Sequence, residues 1–600
     1  MHYKKLLVIF GVAIVALIMQ FGFGKGSWAQ ILITVVGLFL AIQMTWEMIK
    51  TLRSGKYGVD LLAILAILST LAVNQYWASL VILLMLVGGD TLEDYASHKA
   101  GRELKALLDN APDTAHVIQA DGTTKDVDID DVKIGDLLLV KPGDQVPVDG
   151  IVTDGTGSFD ESSLTGESKP VDKKVGDEVM SGSINGSSAI QFKANKLAAD
   201  SQYQKIVMLV KESQNQPAKF VRLADRYAVP FTIIALIIAG LAWALSPDHN
   251  PVRFAQVLVV ASPCPLILAA PVALISGMSR TSRNGIIVKN GTSIEKMSLL
   301  KKISFDKTGT ITTGNFSLDK VNVEPGFNQA DVLQYAASAE QQSNHVFATS
   351  LLSSYKGKLL KPDKLQEKTA EGVVASINGH DIKVGKIEFA VPGKKITTTQ
   401  PTMFVSIDGK YAGNVTFSDP VRPEAKRTMS ELMKLGIKHL EMLTGDNTVT
   451  ADSVAKQVGI NEVKSNLLPQ DKIKALQSTP KDERPMGMVG DGVNDAPSLT
   501  AADVGVAMGA RGSTAASEAA DVVIVKNDLS RLVRGVIISR ETMTVAKQAV
   551  LIGIFICTAL MVIAAFGVIP TIIGALLQEV IDTVSILWAL KARHGKTQFK

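Results

Sequence analysis

The sequence predicts a multidomain membrane protein: an eight-helix transmembrane bundle carrying an all-β module, an α/β domain and a small α+β insert. Three observations lead there. Hydrophobic residues make up 46% of the 600-residue chain and charged residues 20%, at a mean hydropathy of +0.21. Both values hold together only if apolar spans are segregated from polar domains. Apolar stretches long enough, or nearly so, to cross a bilayer fall at 6–23, 29–46, 59–74, 77–89, 229–246, 254–278, 548–566 and 568–590. Of the two long polar segments between them, one alternates short β-type runs with Asp/Gly turns, and the other mixes strand-like and helix-like runs.

The first span follows Lys4-Lys5 and has no small-residue cleavage site, so it reads as a retained span rather than a signal peptide. The third and fourth are joined by Asn74-Gln75, which calls for a tight helical hairpin. Eight spans put both termini on one side. Lys4, Lys5, Lys50, Arg53, Lys56, Lys591 and Arg593 lie on that side, against little more than Lys25 and Arg253 opposite. The termini are therefore expected to be cytoplasmic, in a multi-pass protein of the plasma membrane. Gly88-Gly89, followed by Asp90, Glu93 and Asp94, permits a kink and serves packing or function equally well. The basic segment Lys99 to Leu108 is expected to lie amphipathically at the membrane surface. A net charge of +4 is too small to argue for nucleic acid as a partner. The two cysteines, Cys264 and Cys557, each sit inside an apolar run, which excludes a disulfide framework and any Cys-x-x-Cys motif.

Residues 110–222 form the all-β module, with strand-like runs Leu137 to Val140, Val146 to Val148 and Ile151-Val152. Within it stands the polar turn Thr165-Gly166-Glu167-Ser168. The hexapeptide Phe305-Asp306-Lys307-Thr308-Gly309-Thr310 follows Leu299-Leu300 and Ile303 and reads as strand, then loop. Asp306 thus falls at the carboxyl end of a strand, where open α/β sheets bind ligands. A carboxylate there can attack phosphorus and form an aspartyl-phosphate. An insert of about 316–414 intervenes before the α/β pattern resumes with Asp419-Pro420, Arg422 and Glu424. Further on come Thr444-Gly445-Asp446-Asn447 after Leu440 to Leu443, Lys472 in Pro469-Gln470-Asp471-Lys472, and Gly490 to Pro497 after Met486 to Val489. Strand-end loops bearing Asp and Thr, with a Lys, can converge on one phosphate and one Mg²⁺, which needs hard oxygen ligands. No Gly-x-x-x-x-Gly-Lys-Ser/Thr exists, so an ordinary P-loop NTPase is excluded.

Taken together and in this order between membrane pairs, Thr165–Ser168, Asp306–Thr310, Thr444–Asn447 and Gly490–Pro497 resemble the signature of P-type ATPases over nearly the whole chain. Two spans before the usual six, two after the soluble domains and a short insert are similar to the heavy-metal (type IB) branch. The resemblance implies that 99–225 is an actuator domain. It makes 283–315 with 415–540 a haloacid-dehalogenase-like phosphorylation domain and 316–414 a nucleotide-binding domain. The spans then occupy 1–98, 226–282 and 541–600, the last with a cytoplasmic tail. ATP is implied to phosphorylate Asp306, with Mg²⁺ held by Asp306, Asp491 and the Thr308 carbonyl. Thr444, Lys472 and Asn494 would contact the phosphoryl group, Asp495 belongs to the same catalytic set, and Glu167 would drive dephosphorylation. The branch's Ser-x-His-Pro appears as Ser343-Asn344-His345-Val346, without the Pro. Its Gly-x-Gly appears as Ala370-Glu371-Gly372, followed by Gly385. His345, Glu371, Gly372 and Gly385 are accordingly the expected nucleotide contacts.

The sixth span reads Val259-Val260-Ala261-Ser262-Pro263-Cys264-Pro265-Leu266. Its prolines free the carbonyls of Val259 and Ala261, and irregular backbone at membrane depth survives only if buried or lining a cavity. Cys264 is therefore an expected ion ligand, and the stretch resembles the Ser-Pro-Cys variant of the branch's Cys-Pro-Cys. The eighth span supplies Gln578, Glu579 and Asp582. Carboxylates three apart share a helix face, and inside an apolar span they are functional candidates. Cys557 in the seventh span fits packing and ligation equally well. One Cys with two carboxylates suits a borderline divalent ion better than Cu⁺. Zn²⁺ or Cd²⁺ leads, then Co²⁺ or another divalent metal.

The expected function is ATP-driven export of a divalent heavy metal, delivered directly or by a soluble carrier, since no Cys- or His-rich terminal domain is seen. A pump for Co, Cu or another cation is the alternative. A membrane-anchored phosphatase of the same superfamily would explain Asp306 and Asp491 but leave Glu167, Cys264, Glu579 and Asp582 without a role. A metal-sensing scaffold has no use for the catalytic set, and Ser262-Pro263-Cys264 speaks against potassium or protons as cargo.

Overall fold

The computed structural model describes residues 2–595 other than 54–60, 101–113, 120, 162–169, 187, 202–203, 205–218, 262–263, 344, 369–370, 395, 397, 399, 492–494 and 510–518, and the side chains of 264–267 also lie outside the described set. The chain divides into two units, one of Met1–Leu299, Asp521–Lys526 and Arg534–Lys600, the other of Leu300–Ala520 and Asn527–Val533.

In the first unit, Lys5–Gly22, Gly26–Lys50, Tyr76–Ala96, Ser530–Ala565 and Thr571–Arg593 are long and apolar enough to cross a membrane, and Leu61–Ala72 and Ala228–Ala244 are shorter apolar helices. The expected eight crossings include these two and the sixth span, which is in two pieces. One helix ends at Val260, with Ala261 at φ −91° and ψ 64°, and the next starts at Cys264. The break stands where Pro263 and Pro265 remove backbone donors. Buried positions between the spans mix small residues such as Ala13, Ala16, Ala66, Ala239 and Ala575 with larger ones such as Ile33, Leu62 and Ile67. Phe10, Phe39, Trp46, Phe555 and Phe566 point outward. Close-packed small residues beneath an apolar exterior are what helices in lipid require.

The expected hairpin forms between helices Leu61–Ala72 and Tyr76–Ala100. Asn74 takes φ 60°, a left-handed conformation that Asn tolerates, and Gln30 Nε2 donates to its Oδ1 at 2.9 Å. Helix Tyr76–Ala100 runs unbroken through Gly88-Gly89. A Cβ at either glycine would meet nothing within 4 Å, so no described residue packs closely there. The basic segment expected at the membrane surface, Lys99 to Leu108, lies outside the described residues from position 101 onward.

The β module contains a six-stranded and a three-stranded sheet. Leu137–Val140 and Gly150–Asp154 both pair antiparallel with Ile190–Ala194. Val146 to Val148 is not a strand, contrary to expectation. Pro147 has no N–H to give a ladder, and only Val146 joins the neighbouring chain, through backbone bonds with Ser183 and Gly182 of 2.9 Å each. Val146 and Val148 are nonetheless fully buried.

In the second unit a parallel sheet orders its strands Val504–Met508, Met486–Gly490, Lys302–Asp306, His439–Leu443 and Glu462–Lys464. Parallel pairing needs a connection returning over the sheet after each strand, so every carboxyl end points the same way. The insert is a six-stranded antiparallel sheet, in the order 317–323, 410–418, 402–407, 380–385, 372–377, 364–368. Its last strand, Lys410–Ser418, crosses the expected boundary at 414. Strand Gly372–Ile377 alternates buried and half-buried residues, the period of a sheet covered on one face. Helix Gln329–Ala339 buries Val332, Ala336 and Ala337 in the same core.

Candidate active site and ion site

Asp306 closes the central strand Lys302–Asp306, every residue of which is buried. In register it lies beside Leu443, while Phe305 lies beside Val489. Asp306, Thr444 and Asp491 therefore leave three adjacent strands at their carboxyl ends. Lys472, in the helix Pro469–Gln477, reaches the same point. Its Nζ stands 2.5 Å from Asp306 Oδ1 and 3.0 Å from Asp495 Oδ1. Asp306 is 7% exposed and Asp495 2%. Burial, then the neighbouring Asp495, push the Asp306 carboxyl up to about 7, with Lys472 opposing and Asp491 reinforcing. Burial works against the charge on Lys472, but Asp306 and Asp495 outweigh it and hold the ammonium above its ordinary range.

The loop after Asp306 passes directly against Asp491. Gly309 has φ +74°, and a Cβ there would stand 2.4 Å from Asp491 Oδ2, so only glycine fits. Lys307 Nζ pairs with Asp446 Oδ2 at 2.5 Å. Thr444 is buried, its Oγ1 accepts from the Asp446 N–H at 3.1 Å, and Asn447 caps the helix Thr448–Val458 by accepting from Thr450 N–H. Asp306 and Asp495 present hard oxygens to the Lys472 ammonium, and Asp491 stands close enough to act on Asp306, the oxygen chemistry that Mg²⁺ takes. Asn494 and Glu167 lie outside the described residues.

In the insert, His345 caps the helix Val346–Ser354, its Nδ1 accepting from Phe347 N–H at 3.3 Å. Its ring stands edge-on to Phe347 at 5.1 Å. Gly372 and Gly385 face each other across paired strands at φ +154° and +157°. A Cβ on Gly372 would come within 2.2 Å of Val384 O, and one on Gly385 within 2.3 Å of Glu371 O. Two bare backbones thus meet beside the exposed Glu371. Ser343 Oγ donates to Glu367 Oε1 at 3.1 Å, and Glu367 pairs with Val373. That contact ties the His345 loop to the Gly372 strand.

Among the membrane helices, Asp582 is 7% exposed and Gln578 1%. Gln578 Nε2 donates to Asp582 Oδ1 at 2.8 Å. Glu579 is half-buried, and its Oε2 is buried with no hydrogen-bond partner among the described residues. The Cys264 side chain lies outside the described set.

Comparison with known proteins bears directly on these sites. Residues 109–211 match the P-type ATPase actuator domain family and residues 300–503 the haloacid dehalogenase-like hydrolase family. The chain is 36% identical over 529 residues to the zinc-transporting ATPase of Bacillus subtilis (strain 168), covering 84% of this chain and 82% of that one. The chain belongs to the heavy-metal-transporting (type IB) P-type ATPases. The cadmium, zinc and cobalt-transporting ATPase of the same organism is 32% identical over 86% of this pump and 76% of its own length. A copper-exporting P-type ATPase of Legionella pneumophila is also 32% identical, over 85% of this pump and 72% of its own length. The crystal structure of a zinc-transporting PIB-type ATPase in the E2·Pi state superposes with a TM-score of 0.67 at 26% identity, covering 99% of this chain and 100% of that one. The pump is an integral, multi-pass membrane enzyme that hydrolyses ATP.

Two features of the pump are not legible in the sequence. Arg422 stands there only as a residue following Asp419-Pro420, yet it clamps the loop that follows Asp306. Its Nε donates to Thr310 O at 2.7 Å, its Nη2 to Gly309 O at 2.6 Å, and its Nη1 to Asn527 O at 3.0 Å. Asp419 holds the loop's other end, accepting from Thr312 Oγ1 at 2.6 Å and Gly314 N–H at 3.0 Å. Arg422→Ala should slow single-turnover phosphorylation by radiolabelled ATP by about 10²-fold, the effect of a small misplacement of the nucleophile. An unchanged rate would show that the loop holds its shape without the clamp.

The second is Glu340, 3% exposed in the insert. Burial, then Glu367, push its carboxyl up to about 7, against the Ser343 hydroxyl. Between its unfolded value of 4.5 and about 7 the folded state binds more protons than the unfolded. Stability is therefore fully present below that window and falls as pH rises through it. Hydrogen exchange across 329–354, corrected for intrinsic chemistry, should accelerate from pH 5 to pH 8. In Glu340→Gln that acceleration should vanish, and its persistence would assign the effect elsewhere.

Proposed function

We propose that this ATPase exports a divalent heavy-metal ion, zinc or cadmium, through an aspartyl-phosphate at Asp306. The observation that carries the choice of ion is the donor set inside the bundle: Asp582 buried, Glu579 Oε2 buried without a described partner, and Cys264 at the break between two half-helices. Sulfur with carboxylate suits a borderline divalent ion better than Cu⁺, which favours several soft ligands. The names of the zinc transporter and of the cadmium, zinc and cobalt transporter of Bacillus subtilis point the same way. Oxygen donors alone would suit magnesium or manganese, and the thiol argues against them.

In the catalytic step an Asp306 oxygen attacks the γ-phosphorus of ATP and the bond to the ADP oxygen breaks. The acyl phosphate stays on Asp306, and ADP leaves. The step is mostly positioning and electrostatics. Lys472 orients Asp306 and offsets charge on the transferred group, with Thr444 and Asn494 beside it. Asp306, Asp491 and the Thr308 carbonyl would hold Mg²⁺, which would supply positive charge against the phosphates. Asp495 fixes Lys472 through the 3.0 Å pair. Glu167 positions the water that later attacks the acyl phosphate. His345, Glu371, Gly372 and Gly385 receive the nucleotide in the insert that ends with strand Lys410–Ser418. The actuator domain is 99–225, and the phosphorylation domain is 283–315 with the chain from 419 to 540, after the last strand of the insert, Lys410–Ser418. Membrane spans fill 1–98, 226–282 and 541–600. Both termini face the cytoplasm of a plasma-membrane protein, and the ion arrives directly or from a soluble carrier.

The test is ATP hydrolysis by purified protein in lipid across Zn²⁺, Cd²⁺, Co²⁺, Mn²⁺ and Cu⁺, with Asp306→Asn as blank. Stimulation by Zn²⁺ or Cd²⁺ that disappears in Cys264→Ala supports the assignment. Stimulation by Cu⁺ alone refutes it.

A further inference from the structure

Side chains alternate along a strand, so Lys302, Ser304 and Asp306 share one face of the central strand Lys302–Asp306. All three are buried. At the carboxyl end of that face Asp306 meets Lys472. At the amino end, about 13 Å away along the strand, Lys302 Nζ stands 2.8 Å from Glu462 Oε2, 3.1 Å from Glu483 Oε2 and 3.5 Å from Glu441 Oε1. Burial works against its charge, but the three glutamates outweigh it and hold the ammonium above its ordinary range.

Two of these partners belong to the sheet itself. Glu441 lies in strand His439–Leu443, where its Oε2 accepts from Ser304 Oγ at 2.6 Å, and Glu462 opens strand Glu462–Lys464. Glu483 comes from outside the sheet. It closes the turn Lys481–Glu483, which follows the helix Pro469–Gln477 that carries Lys472. The turn is bound to the helix end, because Arg484 Nη2 donates to Leu476 O at 2.9 Å. It is also bound to the start of the strand, because Lys301 Nζ donates to Asp482 O at 3.0 Å. The helix is thus tied to one strand at two points, by Lys472 to Asp306 and by Glu483 to Lys302.

We propose that Lys302 and Glu483 are positioning residues for phosphoryl transfer: their ion pair sets where the helix Pro469–Gln477 stands along the strand, and so where the Lys472 ammonium stands beside Asp306. The proposal deepens the reading of Asp306 as the nucleophile and rests on it. Two physical points carry it. A buried ion cluster adds little net stability over apolar packing of the same volume, so what it supplies here is a fixed geometry. A helix is stiff over its few turns, and only about 7.5 Å of it separates Lys472 from its end at Gln477. A shift of the tethered end therefore reaches Lys472 undiminished.

The experiment measures single-turnover phosphorylation by radiolabelled ATP, using the full chain in lipid nanodiscs and a double-mutant cycle of Glu483→Ala with Lys472→Met. Glu483→Ala removes the tether and leaves Lys302 with its two partners in the sheet. Alone, it should slow phosphorylation at least about tenfold, the cost of displacing an oriented charge by a fraction of an ångström. In Lys472→Met it should change the rate by less than about twofold, because the group through which it acts has gone. Lys302→Met should show the same pattern, and equilibrium ATP binding should be unchanged in every variant. Size-exclusion elution and far-ultraviolet circular dichroism identify any variant that fails to fold. The Glu483 side chain is 22% exposed, so its truncation keeps the test open if Lys302→Met does not fold. Equal slowing in both backgrounds would make the pair a support of the fold alone and overturn the inference, as would wild-type rates in Glu483→Ala. In either case an unlabelled Asp306→Asn leaves the Asp306 assignment standing. Label retained in Asp306→Asn overturns both.

Discussion

Asp306→Asn should abolish the acid-stable phosphoenzyme formed from ATP and lower hydrolysis by at least about 10⁴-fold, to the background of the preparation. The amide is nearly the same size, so the strand Lys302–Asp306 and its pairing with His439–Leu443 remain. What is lost is the nucleophilic oxygen and the anionic partner of Lys472, 2.5 Å away. Because the change is isosteric, metal binding in the membrane should survive. Retained label at wild-type level would move the phosphorylation site elsewhere in the chain.

Lys472→Met is expected to have the next largest effect. The variant keeps the length of the side chain but leaves Asp306, Asp495 and Asp491 without the ammonium that reaches two of them. Removing one preorganised charge from such a site costs about 10²–10³-fold in rate. The pH dependence should move as well. Asp306 sits at about 7 because burial and Asp495 raise it and Lys472 holds it down. Without Lys472 the group rises further, so at neutral pH less of it is the carboxylate that attacks. At fixed, subsaturating Mg²⁺ the phosphorylation rate of wild type should climb as pH rises through about 7. In the variant that climb should begin at higher pH. An unshifted profile with a reduced rate would assign Lys472 to the phosphoryl group alone rather than to the carboxylates.

Much of the catalytic constellation is legible because its members are local signals. Asp306, Thr444 and Asp491 each follow a hydrophobic run into a Gly-containing turn, and in a parallel sheet all such ends lie on one edge. The broken sixth span is legible because proline acts on its own turn. Val146 to Val148 misleads because an apolar run reads as a strand until Pro147 is weighed. Glu340 escapes notice because a Glu before Gln341-Gln342 carries no mark of burial. Arg422 is visible but its role is not, because its acceptors are backbone carbonyls of Gly309 and Thr310, over 100 residues away.

The sequence by itself determined the chemistry available and where it lies along the chain: a carboxylate at a strand end, apolar spans and a thiol beside two prolines. These depend on composition, hydropathy and backbone restrictions acting over a few residues. Only the tertiary structure decided which groups meet. Lys472 reaches Asp306 across 166 residues, and Cys557 meets Gln578 from a separate helix, 21 residues away. In both pairs the partners lie on separate elements. Contacts of that kind follow from how whole elements pack, which no local pattern encodes.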